Sequence, residues 1–490
     1  MSSNTVVQTG GAGSRSQLRA GSIGTAGIVF FVVAAAAPLA ATLGAGPVVF
    51  IFAGPGAPAM YLIAALALLL FSFGFALMAR FVTNAGGFAA FISWGLGRRA
   101  GHAAAAIALL AYFAMFLGIA AQFATFVSDL SHRFLGLDVP WQAAYVVGVV
   151  VIGILGYRDI RISAILLGVL LVLEVLVLLV FDVAVLVQGG AEGINIDSFA
   201  AGNVFSPTMG LALLFAFACF VGFEATILYG EEARDPKKSV PRATYIAVAA
   251  IGVLYTLTMW VLSLAYGTDS VQKAAEDDPV GFVLNATGTY IGPWATVIME
   301  TLVLTSLLAV LLSFQNALSR YVYSLGRAGF LPRKLGVSHP KHKSPSRASF
   351  AVTIVIVIVL FVFVLAGADP FSVIYMWMIG VGTLGVLLLQ AAGAAAVVAY
   401  LRRYAKNEAL WRRFIAPTIG GIMLIIAVVL AVTNFGALID STGVITVLLP
   451  VLYLLAIAVG IFVGTVRNVD DLRQEHLPEE AAAERHVAAS

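Results

Sequence analysis

Phe215–Arg242 reads FAFACFVGFEATILYGEEARDPKKSVPR, and its interpretation decides the fold. The stretch opens as an apolar run able to cross a bilayer, but Gly222 and Glu224 interrupt it at mid-depth. It closes on two carboxylates, Glu231 and Glu232, and on a basic loop that holds Pro236 and Pro241. A carboxylate in the hydrocarbon core costs at least about 2.5 kcal/mol unless it faces protein or water. Glycine loosens the helix at that same level, since it has no Cβ to restrict its backbone. A spanning helix broken beside an ionisable side chain is a common way to build a midplane substrate site.

The surrounding chain supports a membrane setting. Its 490 residues are 61% hydrophobic and 11% charged, with a mean hydropathy of +1.00. Repeated apolar runs near 20 residues, each about 30 Å long as helix, make a polytopic α-helical membrane protein. A β-barrel would alternate apolar and polar residues, and these runs do not. The single cysteine, Cys219, lies inside an apolar run, so internal disulfides are excluded. The histidines form no metal spacing, and no nucleophile constellation or phosphate loop is visible. Neither enzymatic activity, a cofactor nor a metal is therefore expected.

Hydropathy predicts twelve spans, at about 23–49, 57–79, 101–131, 142–157, 161–187, 207–230, 243–266, 290–319, 350–366, 372–400, 414–434 and 443–465. Residues 1–22 and 467–490 then form tails, and 23–466 one transmembrane domain. With both termini in the cytoplasm, 26 of the 28 Lys and Arg residues fall inside, leaving Arg133 and Lys273 outside. The basic loops read as topology signals and contacts to anionic lipid. Their scatter over short loops excludes nucleic acid as a partner. The same partition leaves no basic residue near mid-membrane, so buried charge is expected to be acidic and without an internal basic partner.

A second interruption matches the first. Span one contains FFVVAAAAPLAATLGAGP (Phe30–Pro47), with Pro38 at mid-depth. Proline donates no backbone hydrogen bond and clashes with the preceding turn, so Ala35, Ala36 and Ala37 are expected to be loosely bonded. The two breaks open successive five-helix units, 23–187 and 207–400, with the last two helices at 414–465. Because five is odd, the second unit starts from the opposite face, which is the condition for an inverted repeat. Phe220, Val221 and Phe223 flank the second break as candidate pocket walls or gates, and Tyr112 in span three is a further candidate. Ser313 and Asn316 in span eight are candidates for hydrogen bonds to a substrate or ion.

Three motifs carry a family resemblance. FVGFEATILYGEEARDPKKSVPRA (Phe220–Ala243) resembles the sixth helix and following loop of the amino acid–polyamine–organocation permeases. NAGGFAAFISWGLGR (Asn84–Arg98) resembles the loop before their third helix, and Leu318–Pro345 their helix eight to nine segment. The resemblance implies a twelve-helix fold with a five-plus-five inverted repeat and broken helices one and six. It also implies alternating-access transport of an amino acid or small amine across the cytoplasmic membrane, driven by protons or sodium. Span one departs from the family's glycine-rich break, which weakens the case for an ordinary α-amino acid and leaves a putrescine-like importer open. A transporter-like sensor that binds without translocating is the competing class.

Away from their ends, the spans hold four acids. Glu174 lies near the centre of span five, where the resemblance places a lysine beside an ion site in many relatives. Glu224 resembles a helix-six glutamate implicated in proton-linked exchange. Glu300 lies about a third of the way into span eight, and Asp182 near the outer end of span five, where snorkelling would carry it to the interface. The expectation is that Glu174 and Glu300 take part in proton or ion coupling. Glu224 serves both coupling and the substrate, whose ammonium an ionised acid would pair with.

Overall fold

The structure, a computed structural model, describes residues 24–82, 87–157, 164–224, 226, 233–338, 345–438 and 445–466. Both predicted tails lie outside these residues, as do Glu231, Glu232 and Asn84. Helices dominate, and no strand occurs among the described residues. In chain order they are α1 (Thr25–Ala36), α2 (Pro38–Ala53), α3 (Ala57–Met78), α4 (Gly87–Leu96), α5 (Arg98–Leu135) and α6 (Trp141–Tyr157). Next come α7 (Ala164–Gln188), the single turn α8 (Ala201–Val204), α9 (Met209–Ala218), α10 (Pro236–Tyr266), α11 (Val271–Asp277) and α12 (Phe282–Tyr290). The last are α13 (Pro293–Arg327), α14 (Ser346–Leu365), α15 (Met376–Tyr404), α16 (Ala416–Thr433), the turn α17 (Phe435–Leu438) and α18 (Ile445–Val466).

Among the described residues, nine helical runs are long and apolar enough to cross a bilayer. The longest, Pro38–Met78, is two helices, α2 and α3, joined by a tight turn at Gly54–Gly56. The shorter apolar helices include α1 and α9, which end where the sequence predicted breaks. The segment expected to be a loop before span three instead contains α4, which packs against α5 and α15. Gly97, at φ 100°, separates α4 from α5 in a backbone conformation that glycine adopts without strain. Ten residues are too few to register as a span, so hydropathy passes over such a helix.

Sorting between lipid and interior follows the helical period. On α7, Leu171, Glu174, Leu178, Phe181, Asp182 and Val185 are buried, while Val172, Leu176 and Val183 are more than half exposed. The long α5 runs through the interior against α4, α6, α13, α15 and α18, and α2 packs on α9. This packing draws α2, α5, α9 and α15 together around the two interruptions.

Candidate functional site

The first interruption is a single residue. Ala37 has φ 45° and ψ 72°, and no other non-glycine described residue has a positive φ. Its N–H still bonds the Ala34 carbonyl at 3.2 Å, closing α1, and α2 starts directly on Pro38. The cause is local. A residue before proline is kept out of the right-handed helical region, while proline itself is well suited to a helix's first turn. For an alanine the left-handed conformation costs about 1–2 kcal/mol.

The second interruption is longer. The α-helix stops at Ala218, and Cys219–Glu224 continues in tight turns, with Gly222 at φ 113°. The two breaks touch. A Cβ placed on Gly222 would lie 3.3 Å from the Ala35 Cβ, so even alanine would press on α1. Gly222 donates its N–H to Glu224 Oε2 at 2.9 Å, and the Tyr112 hydroxyl donates to Glu224 Oε1 at 3.1 Å. Glu224 therefore ties the second break to α5. Val221, Ala111, Met115 and Val386 form a small apolar cluster beside this contact, with Tyr112 and Phe314 packed against it.

Glu174 belongs to the first break. Its carboxylate accepts the Ser306 hydroxyl from α13 at 2.9 Å and lies beside the Leu39 backbone. Leu39 is the second residue of α2, one of the positions whose N–H has no partner inside its own helix. Each break thus has a glutamate against its backbone.

Other candidates are placed elsewhere. Phe220 is fully buried against Tyr255 of α10, with ring centroids 5.9 Å apart. Phe223 is fully buried against Phe71 and Phe75 of α3. In this conformation both rings pack into neighbouring helices. Ser313 is exposed and bonds the Ala309 carbonyl of its own helix, so it does not reach the site. The sequence reading missed Phe314 next to it, whose ring meets Tyr112 edge-on at 6.2 Å. The 3.6-residue period of α13 could have found it.

Two expectations about the acids fail. Glu300 does have a basic partner, because Arg133 Nη1 lies 3.1 Å from its Oε1. Arg133 also bonds Asp129 at 3.1 Å. Arg133 is 21 residues along α5 from Tyr112, roughly 31 Å by helical rise, so this ion pair is remote from the breaks. Its long side chain reaches back to Glu300, a contact that counting charges by loop cannot register. Asp182 does not snorkel. It is 1% exposed and faces α10.

A cavity of about 640 Å³ opens near the Arg133 end of α5, lined in part by Thr125, Asp129, Trp141 and Asp369. Between it and the breaks, Gln122 donates to the Ala40 carbonyl at 2.8 Å, and the Tyr375 hydroxyl closes on Gly44. A side chain on Gly44 would collide with both residues. Among the described residues, no cluster of three or more His, Cys, Asp or Glu is placed to hold a metal.

Comparison with known proteins gives a consistent result. The family model described as amino acid permease matches residues 9–463. An uncharacterized transporter of Mycobacterium tuberculosis is 28% identical over 310 residues, which cover 62% of this chain and 66% of that protein. The branched-chain amino acid permease of Bacillus subtilis is 26% identical over 317 residues, 61% of this chain and 65% of the relative. The chain thus spans slightly less than two thirds of the length of these relatives. A human protein, cationic amino acid transporter 4, is 30% identical over 135 residues, 28% of this chain and 20% of that protein.

Proposed function

We propose that this chain, which belongs to the amino acid permease family, is a secondary active transporter of an amino acid or related small amine. It works by alternating access about the two breaks, in the cytoplasmic membrane, with both termini inside and protons as the coupling ion. The observation that carries this reading is the meeting of the breaks, where Gly222 abuts Ala35 while Glu224 links Gly222 to Tyr112. Ala35–Pro38, Tyr112, Val221, Gly222 and Glu224 hold the substrate at this meeting point, with Phe220 and Phe223 supporting it from behind. Glu174 is the main coupling acid, since it lies against α2 at its broken end and feels any change in the break's geometry.

Twelve spans with a five-plus-five inverted repeat are the architecture this mechanism calls for. The cavity by Asp369 is then an outer vestibule, and Gln122 with Tyr375, seated on Gly44, is the barrier between it and the site.

An amine without a carboxylate is favoured within this reading. The Gly222 N–H is already taken by the Glu224 carboxylate, Glu174 lies beside the N–H end of α2, and among the described residues the hydrogen-bond partners of Glu174 and Glu224 include no basic side chain. A zwitterion's carboxylate would have to displace Glu174 or Glu224, whereas an ammonium would be welcomed by either. The test is a thermal-shift screen of neutral amino acids, cationic amino acids and polyamines, followed by counterflow of the best binder in proteoliposomes. Stabilisation together with counterflow is expected. Stabilisation without counterflow would make the protein a non-translocating sensor.

A further inference from the structure

We infer that Asp182 is a second proton-binding site of this protein, separate from Glu174 and linked to the α1–α2 break through α10. The inference rests on the proton-coupled transport reading above. Asp182 is 1% exposed, and its Oδ2 accepts the Thr258 hydroxyl at 2.9 Å. Its Oδ1 is buried with no partner among the described residues. An ionised carboxylate with one neutral donor and one bare oxygen is far more costly inside a membrane protein than a neutral carboxylic acid. The group therefore carries a proton in this conformation, on Oδ1, since Oδ2 is engaged by Thr258. A metal cation would require several more oxygen ligands than the two brought together here.

Among the described residues, no charged neighbour offers another way to compensate it. Among the described residues, α7 packs against α1, α2, α10, α12 and α13. The helices α1 and α2 carry no titratable residue. On α13 the buried acid Glu300 is engaged by Arg133, and Arg320, Tyr321, Tyr323 and Arg327 lie toward the opposite end of that helix. On α12, Tyr290 gives its hydroxyl to the Ala265 carbonyl. On α10, Lys237, Lys238, Arg242 and Tyr245 lie in the first three turns, and Tyr266 is bound to the Phe282 carbonyl. That leaves Tyr255, whose hydroxyl donates to the Ala36 carbonyl at 3.3 Å.

Tyr255 supplies the link. It sits one turn from Thr258 on α10, so the same face of that helix holds Asp182 through Thr258 and the end of α1 through Tyr255. Glu174 lies against the start of α2 on the other side of the break. The two acids stand eight residues apart on the buried stripe of α7, about 12 Å by helical rise. Losing the proton from Oδ1 would leave an ion that the site cannot hold dry. Release thus favours a conformation in which α10 moves and water reaches Asp182, and α1 moves with α10. Rebinding restores the acid. The proton enters from one side and leaves to the other with no other bond made or broken.

The experiment measures protons moved per substrate, and accumulation under an imposed pH gradient, for the full chain in proteoliposomes. Asp182→Asn is expected to keep counterflow but to lose about one proton per substrate, which lowers accumulation about tenfold for each pH unit imposed. Asp182→Glu should keep the ratio. Infrared spectra should show a protonated-carboxyl band in the unmodified protein that Asp182→Asn removes. An unchanged ratio with an unchanged band overturns the inference. If Asp182→Asn does not insert, Thr258→Val removes only the donor and should move that band; a band that stays put is equally fatal. Counterflow with no response to any pH gradient in the unmodified protein would overturn proton coupling and this site together. Absence of counterflow altogether would overturn the transport reading itself.

Discussion

The break at Ala37 and the break at Gly222 meet at one point but are made from opposite materials. The first is one strained alanine pinned by a proline, and α2 resumes at the next residue. The second is a glycine in a run of turns, with no α-helix from Cys219 to Glu224. Their acids differ in the same sense. Glu224 is local, two residues beyond the N–H it accepts, whereas Glu174 arrives from α7 and is itself held by Ser306, 132 residues further on. A local acid moves with its own break and suits substrate binding. An imported acid reports the position of one helix against others, which suits coupling. This difference leads to four expectations.

The largest effect is expected at Gly222. Gly222→Leu places a branched side chain where a Cβ alone would already be 3.3 Å from Ala35, at a φ that side chains avoid. Substrate binding should be abolished in a protein that still inserts and runs as a single species in detergent. Unchanged affinity would separate the two breaks functionally.

Next comes the local acid. Glu224→Gln removes a charged partner of the Gly222 N–H and of a substrate ammonium, so binding should weaken about 10- to 100-fold, on the scale of a charge-assisted hydrogen bond. Titration calorimetry would read it, and an unaltered Kd would remove Glu224 from the site.

The imported acid should behave differently. Glu174→Gln keeps an oxygen for Ser306 but cannot lose a proton, so counterflow should survive. Accumulation should fall about tenfold per imposed pH unit, as one fewer proton is moved. Full retention of gradient-driven accumulation would sink the division of labour between the two acids.

The smallest effect is at the strained residue. Ala37→Gly relieves about 1–2 kcal/mol of left-handed strain and adds about 0.5–1 kcal/mol of unfolded-state entropy. A Tm rise of no more than about 2 °C is expected, read by thermal unfolding in detergent. A marked fall in Tm would mean that the Ala37 methyl packs more tightly than its strain costs.

Much of this protein was legible without coordinates. Its membrane class followed from apolar length, because a span needs a certain number of residues whatever they pack against. Both breaks were legible too, since Pro38 and Gly222 act on their own backbone within one turn. What the buried acids do was not legible. Charge counting left Glu300 without a basic partner, yet Arg133 reaches it, and Asp182 was assigned to the interface, yet it lies against Thr258. Nor did hydropathy show α4, or that Glu174 would lie against the broken end of α2. The reason is physical. Lipid is as apolar as the side chains that pack in it, so hydrophobicity places a helix in the bilayer without choosing its neighbours or its rotation. Those are decided by close fit between helices and by hydrogen bonds from distant parts of the chain, and they exist only once the helices have assembled.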